Sequence, residues 1–207
     1  MPTPSPQPRH PRPWAHRIGR LFLGFFGWRT EGQLPEGSKF VIIAAPHTSN
    51  WDLPFMLAVS YVFGVRLSFL MKHTMFWGPF GPFFRWLGGI PVDRRARHNL
   101  VQQCVDAFRQ HEQLVLAIPP EGTRSKVRYW KTGFYWIAHD AKVPILLGFL
   151  DYKRKVGGLG PTVFPSGGLK ADLEKIREFY RGISGKHPSQ MGEIELQERD
   201  RAANPPS

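Results

Sequence analysis

The sequence predicts a single α/β domain with a largely parallel central sheet flanked by helices, preceded by an amphipathic N-terminal helix. Three observations predict it. Short apolar or β-branched runs alternate with stretches whose apolar residues fall at helical spacing. Strands separated by helices run in the same direction, because a parallel connection needs a crossover of a dozen or more residues. The chain of 207 residues, 42% of them hydrophobic, is long and apolar enough for one core.

Residues 1–13 carry Pro at positions 2, 4, 6, 8, 11 and 13 and predict an extended, disordered start. From Trp14 to Arg29, the residues Ile18, Leu21, Phe22, Phe25 and Phe26 recur at helical spacing beside Arg17, Arg20 and Arg29. Residues 14–30 therefore read as a basic amphipathic helix. Its apolar face suits a bilayer interface or the protein core equally, and the pattern does not choose. Phe40–Ala45 reads as a buried strand, and Pro46–Trp51 as a loop. Asp52–Phe63 reads as a helix, with Pro54 in its first turn where no N–H bond is lost. Leu67–Met71 is the next strand, Gly78–Leu87 a short aromatic helix and Ile90–Val92 a brief strand. A helix over Arg95–His111 carries Leu100, Val101, Cys104, Val105 and Phe108 on one face. The strand Leu114–Ile118, the helix Lys131–Asp140, the strand Val143–Leu150 and the helix Leu169–Tyr180 complete a domain over residues 31–182. Residues 183–207 read as a polar tail.

The formal net charge of +12 favours polyanions: nucleic acid, anionic lipid or phosphorylated substrates. No zinc-finger, basic-zipper or RNA-recognition signature is present and the charges do not form one helical stripe, so nucleic acid is not expected as a partner. The single cysteine, Cys104, excludes an internal disulfide and a multi-thiolate metal site. It points to a reducing compartment, and its apolar helix face makes it a core thiol rather than a nucleophile. The longest apolar run, Leu53 to Val65, falls short of the ~20 residues of a membrane span. The expected location is cytoplasmic, with the protein attached peripherally to the inner face of the cell membrane, an anionic surface.

Three motifs carry candidate chemistry. His47-Thr-Ser-Asn-Trp-Asp52 places a His after a buried strand and an Asp at the start of the next helix. On a continuous helix the two would point about 140° apart. A loop-to-helix turn can instead fold Asp52 back, so that a carboxylate fixes one imidazole nitrogen and the other takes a proton from a hydroxyl. Asp52 as a plain helix cap is the alternative. Pro120-Glu-Gly-Thr-Arg-Ser125 follows another strand. There Gly122 permits a sharp turn, Arg124 can fork two bonds to a phosphate, and Thr123 and Ser125 add donors. An ordinary polar turn is the alternative. Gly88-Gly-Ile-Pro-Val-Asp-Arg94 ends on a second Arg, whose alternative is a surface ion pair. Ser49 lacks the surroundings of a nucleophile elbow, and His73, His98, His111 and His139 have no carboxylate at a telling spacing.

These blocks, with Val143-Pro-Ile145, stand in the order and approximate spacing of the glycerolipid acyltransferases, which include the lysophosphatidic acid acyltransferases; the resemblance covers roughly residues 40–149. It implies an enzyme in which His47 deprotonates a glycerol hydroxyl that attacks an acyl thioester on coenzyme A or acyl carrier protein, with Asp52 orienting His47 and no acyl-enzyme formed. It implies that Arg94, Glu121, Gly122, Thr123 and Arg124 hold a phosphorylated acceptor such as 1-acyl-glycerol-3-phosphate, giving phosphatidic acid. No cofactor is implied beyond the thioester co-substrate. Pro91 and Pro119 stand where family members usually carry an aromatic, and Leu147 where they often carry Pro; this points to a branch with its own acceptor.

Three further features are read from the residues. Lys72 follows a strand and could touch phosphate. The basic run Asp151-Tyr-Lys-Arg-Lys155 could hold a headgroup or be solvated. The aromatic run Phe76–Trp86 could line an acyl groove, dip into an interface or form a satellite cluster. Competing readings keep the chemistry on another lysolipid or an aminolipid, or make the protein a non-enzymatic basic protein that binds nucleic acid or a membrane-surface lipid. A binder retains lipid affinity without turnover.

Overall fold

The computed structural model describes residues 13–92 and 100–197. The Pro-rich start up to residue 12, the segment 93–99 with Arg94 and His98, and residues 198–207 lie outside the described residues. In chain order the elements are α1 (Pro13–Phe25), β1 (Arg29–Glu31), β2 (Lys39–Ala45), α2 (Asp52–Phe63), β3 (Leu67–Lys72), α3 (Phe80–Trp86), β4 (Gly89–Val92), α4 (Leu100–Gln110), β5 (Leu114–Ile118), α5 (Gly133–Ala141), β6 (Ile145–Asp151), β7 (Val156–Val163) and α6 (Leu169–Tyr180). Among the described residues the strands form one sheet in the order β1-β7-β6-β2-β5-β3-β4. All pairs are parallel except β6 with β7. The α/β fold with a largely parallel sheet is as the alternating pattern predicts.

β2 lies at the centre, paired with β5 on one side and β6 on the other. Its alternating side chains serve two cores, as the period of two requires. Val41, Ile43 and Ala45 pack with Cys104 and Phe108 of α4, Phe134 and Ile137 of α5, and Leu169 and Ile176 of α6. Phe40 and Ile42 face the other way, with Val115, Ala117, Leu146 and Leu159, where Met56 and Phe63 of α2 cover them. Each fully buried side chain of this size contributes about 1.5–3 kcal/mol. Cys104 is a core residue, as expected, and burial pushes its thiol up to about 11.

α1 packs on α2 through Ala15, Gly19 and Leu23. Gly19 permits this approach, since a Cβ there would lie 2.6 Å from the Ala58 carbonyl oxygen. The helix therefore has two apolar sides. One joins the core, while Trp14, Ile18, Leu21 and Phe25 remain exposed on the other.

Two strands escape the periodicity. β7 reads Val156-Gly-Gly-Leu-Gly-Pro-Thr-Val163, which resembles a loop by composition. The glycines answer to space. A Cβ at Gly157 would meet Val59, one at Gly158 the Glu31 carbonyl, and one at Gly160 the Phe179 ring. Strand β1 is only three residues long and exists because β7 offers it an edge. The run after β6 is the turn into β7. Asp151 accepts the backbone N–H groups of Lys153 and Arg154 and the Arg154 guanidinium, which also reaches Glu31 at 3.5 Å.

Residues 183–197 are not the loose polar tail that the composition predicts. Ile183 and Leu196 are buried, Arg177 holds the Ile194 carbonyl, and Trp130 donates its N–H to Glu195 at 3.0 Å. Two well-spaced apolar residues suffice to fix the segment, too few to register as a periodic element.

Candidate active site

β2 ends at Ala45, and the loop that follows is organised by one carboxylate. Asp52, the first residue of α2, turns back over residues 47–49. Its Oδ2 lies 3.0 Å from His47 Nδ1 and accepts the backbone N–H groups of Thr48 and Ser49, each at 2.8 Å. Its Oδ1 accepts the Tyr152 hydroxyl at 2.7 Å. Asp52 is thus the hub of the loop, and its place at a helix start adds a favourable dipole. Burial alone would raise its pKa, but the bonds from His47, Tyr152 and Ser49 outweigh this and hold the carboxyl below its ordinary range. An ionised Asp52 only accepts, so Nδ1 of His47 carries the proton and Nε2 is left as a base. The His47 side chain is 27% exposed against 7% for Asp52, so the base is reachable and its partner is not.

β5 ends next to β2, and its following turn brings the second motif alongside. Gly122 takes a positive φ of 66° and donates its N–H to the Pro119 carbonyl at 3.1 Å. A side chain at 122 would run into the ammonium of Lys131. Gly122, Thr123 and Arg124 are exposed and line the same cavity as His47. Arg124 and Lys131 form no ion pair among the described residues, which leaves two cations at the rim for an anion.

Glu121 points the other way. It is buried, and its Oε1 accepts the His47 backbone N–H at 3.2 Å. The resemblance places it among the groups holding the acceptor, whereas here its side chain braces the histidine from behind. Its Oε2 has no hydrogen-bond partner, and burial pushes the carboxyl up to about 7. A raised folded-state value means that its contribution to stability is complete below the ordinary 4.5 and is lost as pH rises through about 7. Glu121→Gln is neutral at every pH. Relative to wild type it is expected to be unchanged near about pH 4 and more stable by about 1–3 kcal/mol near about pH 9. Thermal unfolding at the two pH values checks this.

Lys72 and Ser125 are exposed and are not among the cavity-lining residues. Lys72 ends β3, which β5 separates from β2, so its ammonium stands apart from the histidine wall. Arg94 lies outside the described residues. Sequence reasoning missed Lys131, Asn50 and Tyr152, which line the site or touch Asp52. It also missed the strap formed by residues 184–191. There Tyr152 donates its N–H to the Ser184 carbonyl and His187 donates its N–H to Thr48 Oγ1 at 3.2 Å, and the Gln190 amide, oriented so that its nitrogen faces the two carbonyls beside it, donates to those of Arg124 and Thr48. None of these sits at a telling spacing from His47 in sequence.

The cavity has a volume of about 1060 Å³, at the upper end of ligand pockets. From His47 it runs along the α2 face of the sheet past Phe40, Ile42, Met56, Phe63 and Leu67. Room for it comes from small residues on that face, Ala44, Ala117 and Gly148. One end is polar and cationic with a base; the rest is apolar. Among the described residues no group of His, Cys, Asp and Glu side chains could hold a metal ion.

An imidazole held by a buried carboxylate, at the mouth of a long apolar cavity and beside cations that form no ion pair among the described residues, can take a proton from a hydroxyl placed next to an apolar chain. The Acyltransferase family model matches residues 28–146, and the chain belongs to that family, so the likeness to glycerolipid acyltransferases and the assignment as an enzyme are borne out. Among solved structures it is similar to the 1-acyl-sn-glycerophosphate (LPA) acyltransferase PlsC from Thermotoga maritima. The TM-score is 0.58 at 18% identity, covering 84% of this chain and 80% of that one, a likeness of fold. No curated protein sequence matches.

Proposed function

We propose that this acyltransferase moves a fatty acyl group from an acyl thioester, on coenzyme A or acyl carrier protein, to the free hydroxyl of a lysophospholipid such as 1-acyl-glycerol-3-phosphate, giving phosphatidic acid. The observation that carries this is the His47–Asp52 pair at the junction of the apolar cavity and the cationic rim. His47 Nε2 takes the hydroxyl proton while the oxygen attacks the thioester carbonyl carbon. The carbon–sulfur bond then breaks, and the proton passes to the departing thiolate. Asp52 stabilises the imidazolium in between. Arg124 and Lys131 hold the acceptor phosphate, and the apolar cavity takes an acyl chain, each buried CH₂ contributing about 0.8 kcal/mol. The chemistry on the Acyltransferase match and the lysophosphatidate named for the Thermotoga enzyme support this substrate. The test is purified protein with mixed lysolipids and each donor, read by mass spectrometry. A new diacyl phosphate lipid is expected; a product on another headgroup moves the acceptor, and no product ends the reading.

The acceptor lives in a bilayer, and no described helix is long and apolar enough to cross one. The exposed face of α1, with Trp14, Ile18, Leu21 and Phe25 beside exposed Arg17 and Arg20, fits an anionic interface. Exposed Trp77, Phe80, Phe83 and Trp86 adjoin it, since Trp14 and Trp86 line one small hollow. Leu21→Asp/Phe25→Asp is expected to lower binding to anionic vesicles at least about tenfold, in low and high salt alike, because apolar burial is lost. Activity on bilayer substrate should fall more than activity on dispersed lysolipid. Co-sedimentation with liposomes measures the binding; unchanged binding moves the anchor to the segment Phe76–Trp86.

A further inference from the structure

Asp52 has two oxygens, and the reaction needs only one of them. The other is held by a residue that follows the strand next to β2. Tyr152 directly follows β6, 100 residues from Asp52, and its hydroxyl donates to Oδ1 at 2.7 Å. The Tyr152 ring is fixed on two sides, edge-on to Trp28 with centroids 4.9 Å apart and edge-on to Phe55 at 5.9 Å. Its backbone N–H is fixed by the Ser184 carbonyl at 2.9 Å. The other charged groups near the pair are Glu121 behind His47, Arg124 and Lys131 on the rim, and Lys186, which lies 5.0 Å over the Trp51 ring. None of these reaches Oδ1.

We infer that Tyr152 is a positioning residue for the His47–Asp52 pair: its hydroxyl occupies Oδ1 and so fixes the carboxylate plane that presents Oδ2 to His47. The inference rests on His47 acting as the base. Burial and the neighbouring Asp52 push the phenol far above the ordinary tyrosine range, so it remains a donor throughout the working pH range. With Oδ1 satisfied, the carboxylate has one free direction of pull, and the Thr48 and Ser49 N–H groups hold Oδ2 in place. Without the hydroxyl, Oδ1 is a buried carboxylate oxygen with no donor. The carboxylate is then harder to ionise, free to turn, and a stronger acceptor towards the His47 proton.

The test compares the full chain with Tyr152→Phe. The Asp52 carboxyl, followed by carbon-13 NMR, is expected to titrate about half a unit or more higher in the variant. The acid limb of kcat/KM should move up with it, and kcat should fall about tenfold with the acceptor KM little changed. In an Asp52→Asn background the same substitution should add almost nothing, because Tyr152 acts through the carboxylate. An unmoved Asp52 titration, or equal losses in both backgrounds, overturns the proposal. If Tyr152→Phe folds poorly, 3-fluorotyrosine at this position keeps the shape and strengthens the donor; it should shift Asp52 in the opposite direction, and no shift overturns the proposal. The titration needs no turnover. Failure of the wild type to transfer acyl groups would therefore sink the proposed reaction while the Tyr152–Asp52 coupling is still measured.

Discussion

His47→Ala is expected to lower acyl transfer by about 100- to 10,000-fold while leaving the fold and membrane binding in place. The side chain is partly exposed and its loop is held by other bonds. Thr48 and Ser49 remain tied to Asp52, and the His47 backbone N–H remains on Glu121. Little stability is therefore at risk, and the loss should lie in kcat rather than in the KM for either substrate. Circular dichroism and thermal unfolding should match wild type. A well-folded His47→Ala protein with near-normal turnover would end the mechanism, because no other described side chain at the cavity is held as a base by a buried carboxylate.

Arg124→Ala should act on the other half of the reaction. Its guanidinium is exposed at the cavity rim and pairs with no carboxylate among the described residues, so its bonds are available to the acceptor. Losing a charge-assisted fork to phosphate raises the acceptor KM by about 10- to 100-fold, with the thioester KM nearly unchanged. Arg124→Lys restores only part, since an ammonium cannot place two parallel donors on one phosphate. Varying each substrate in turn at a fixed concentration of the other separates the two. If both variants keep wild-type acceptor dependence, the phosphate is held by Lys131 or by residues outside the described chain.

How much of this was legible in the sequence follows from the range of the interactions. His47 and Asp52 are five positions apart, and their pairing is a local event at a strand–helix junction, so motif spacing finds it. The turn at Gly122 is local as well, and its positive φ is what a glycine in that place predicts. Glu121 was found by position yet not by direction: whether a side chain at a turn points to the ligand or to the core depends on what lies behind it, here the His47 N–H from a neighbouring strand. Tyr152 and Gln190 reach the site across 100 or more positions, and such pairings leave no periodic trace. The core strands were read from β-branched runs because they are buried on both faces. β7 was not, because close packing against Val59, Glu31 and Phe179 replaces those residues with glycine, and glycine is also what a loop uses.

The strap over residues 184–191 has a consequence for the order in which the enzyme becomes competent. The loops that carry His47 and Arg124 both precede the strap in sequence, and a domain begins to form as its early segments are synthesised. The clasp that joins Thr48 to the Arg124 turn is supplied by His187 and Gln190, which leave the ribosome more than sixty positions later. Until they dock, the His47 loop and the Arg124 turn are tied by the Glu121 carboxylate on the His47 N–H but lack this second clasp. A nascent chain that already carries both loops thus holds them with fewer bonds, and the arrangement is completed when residues 184–191 dock.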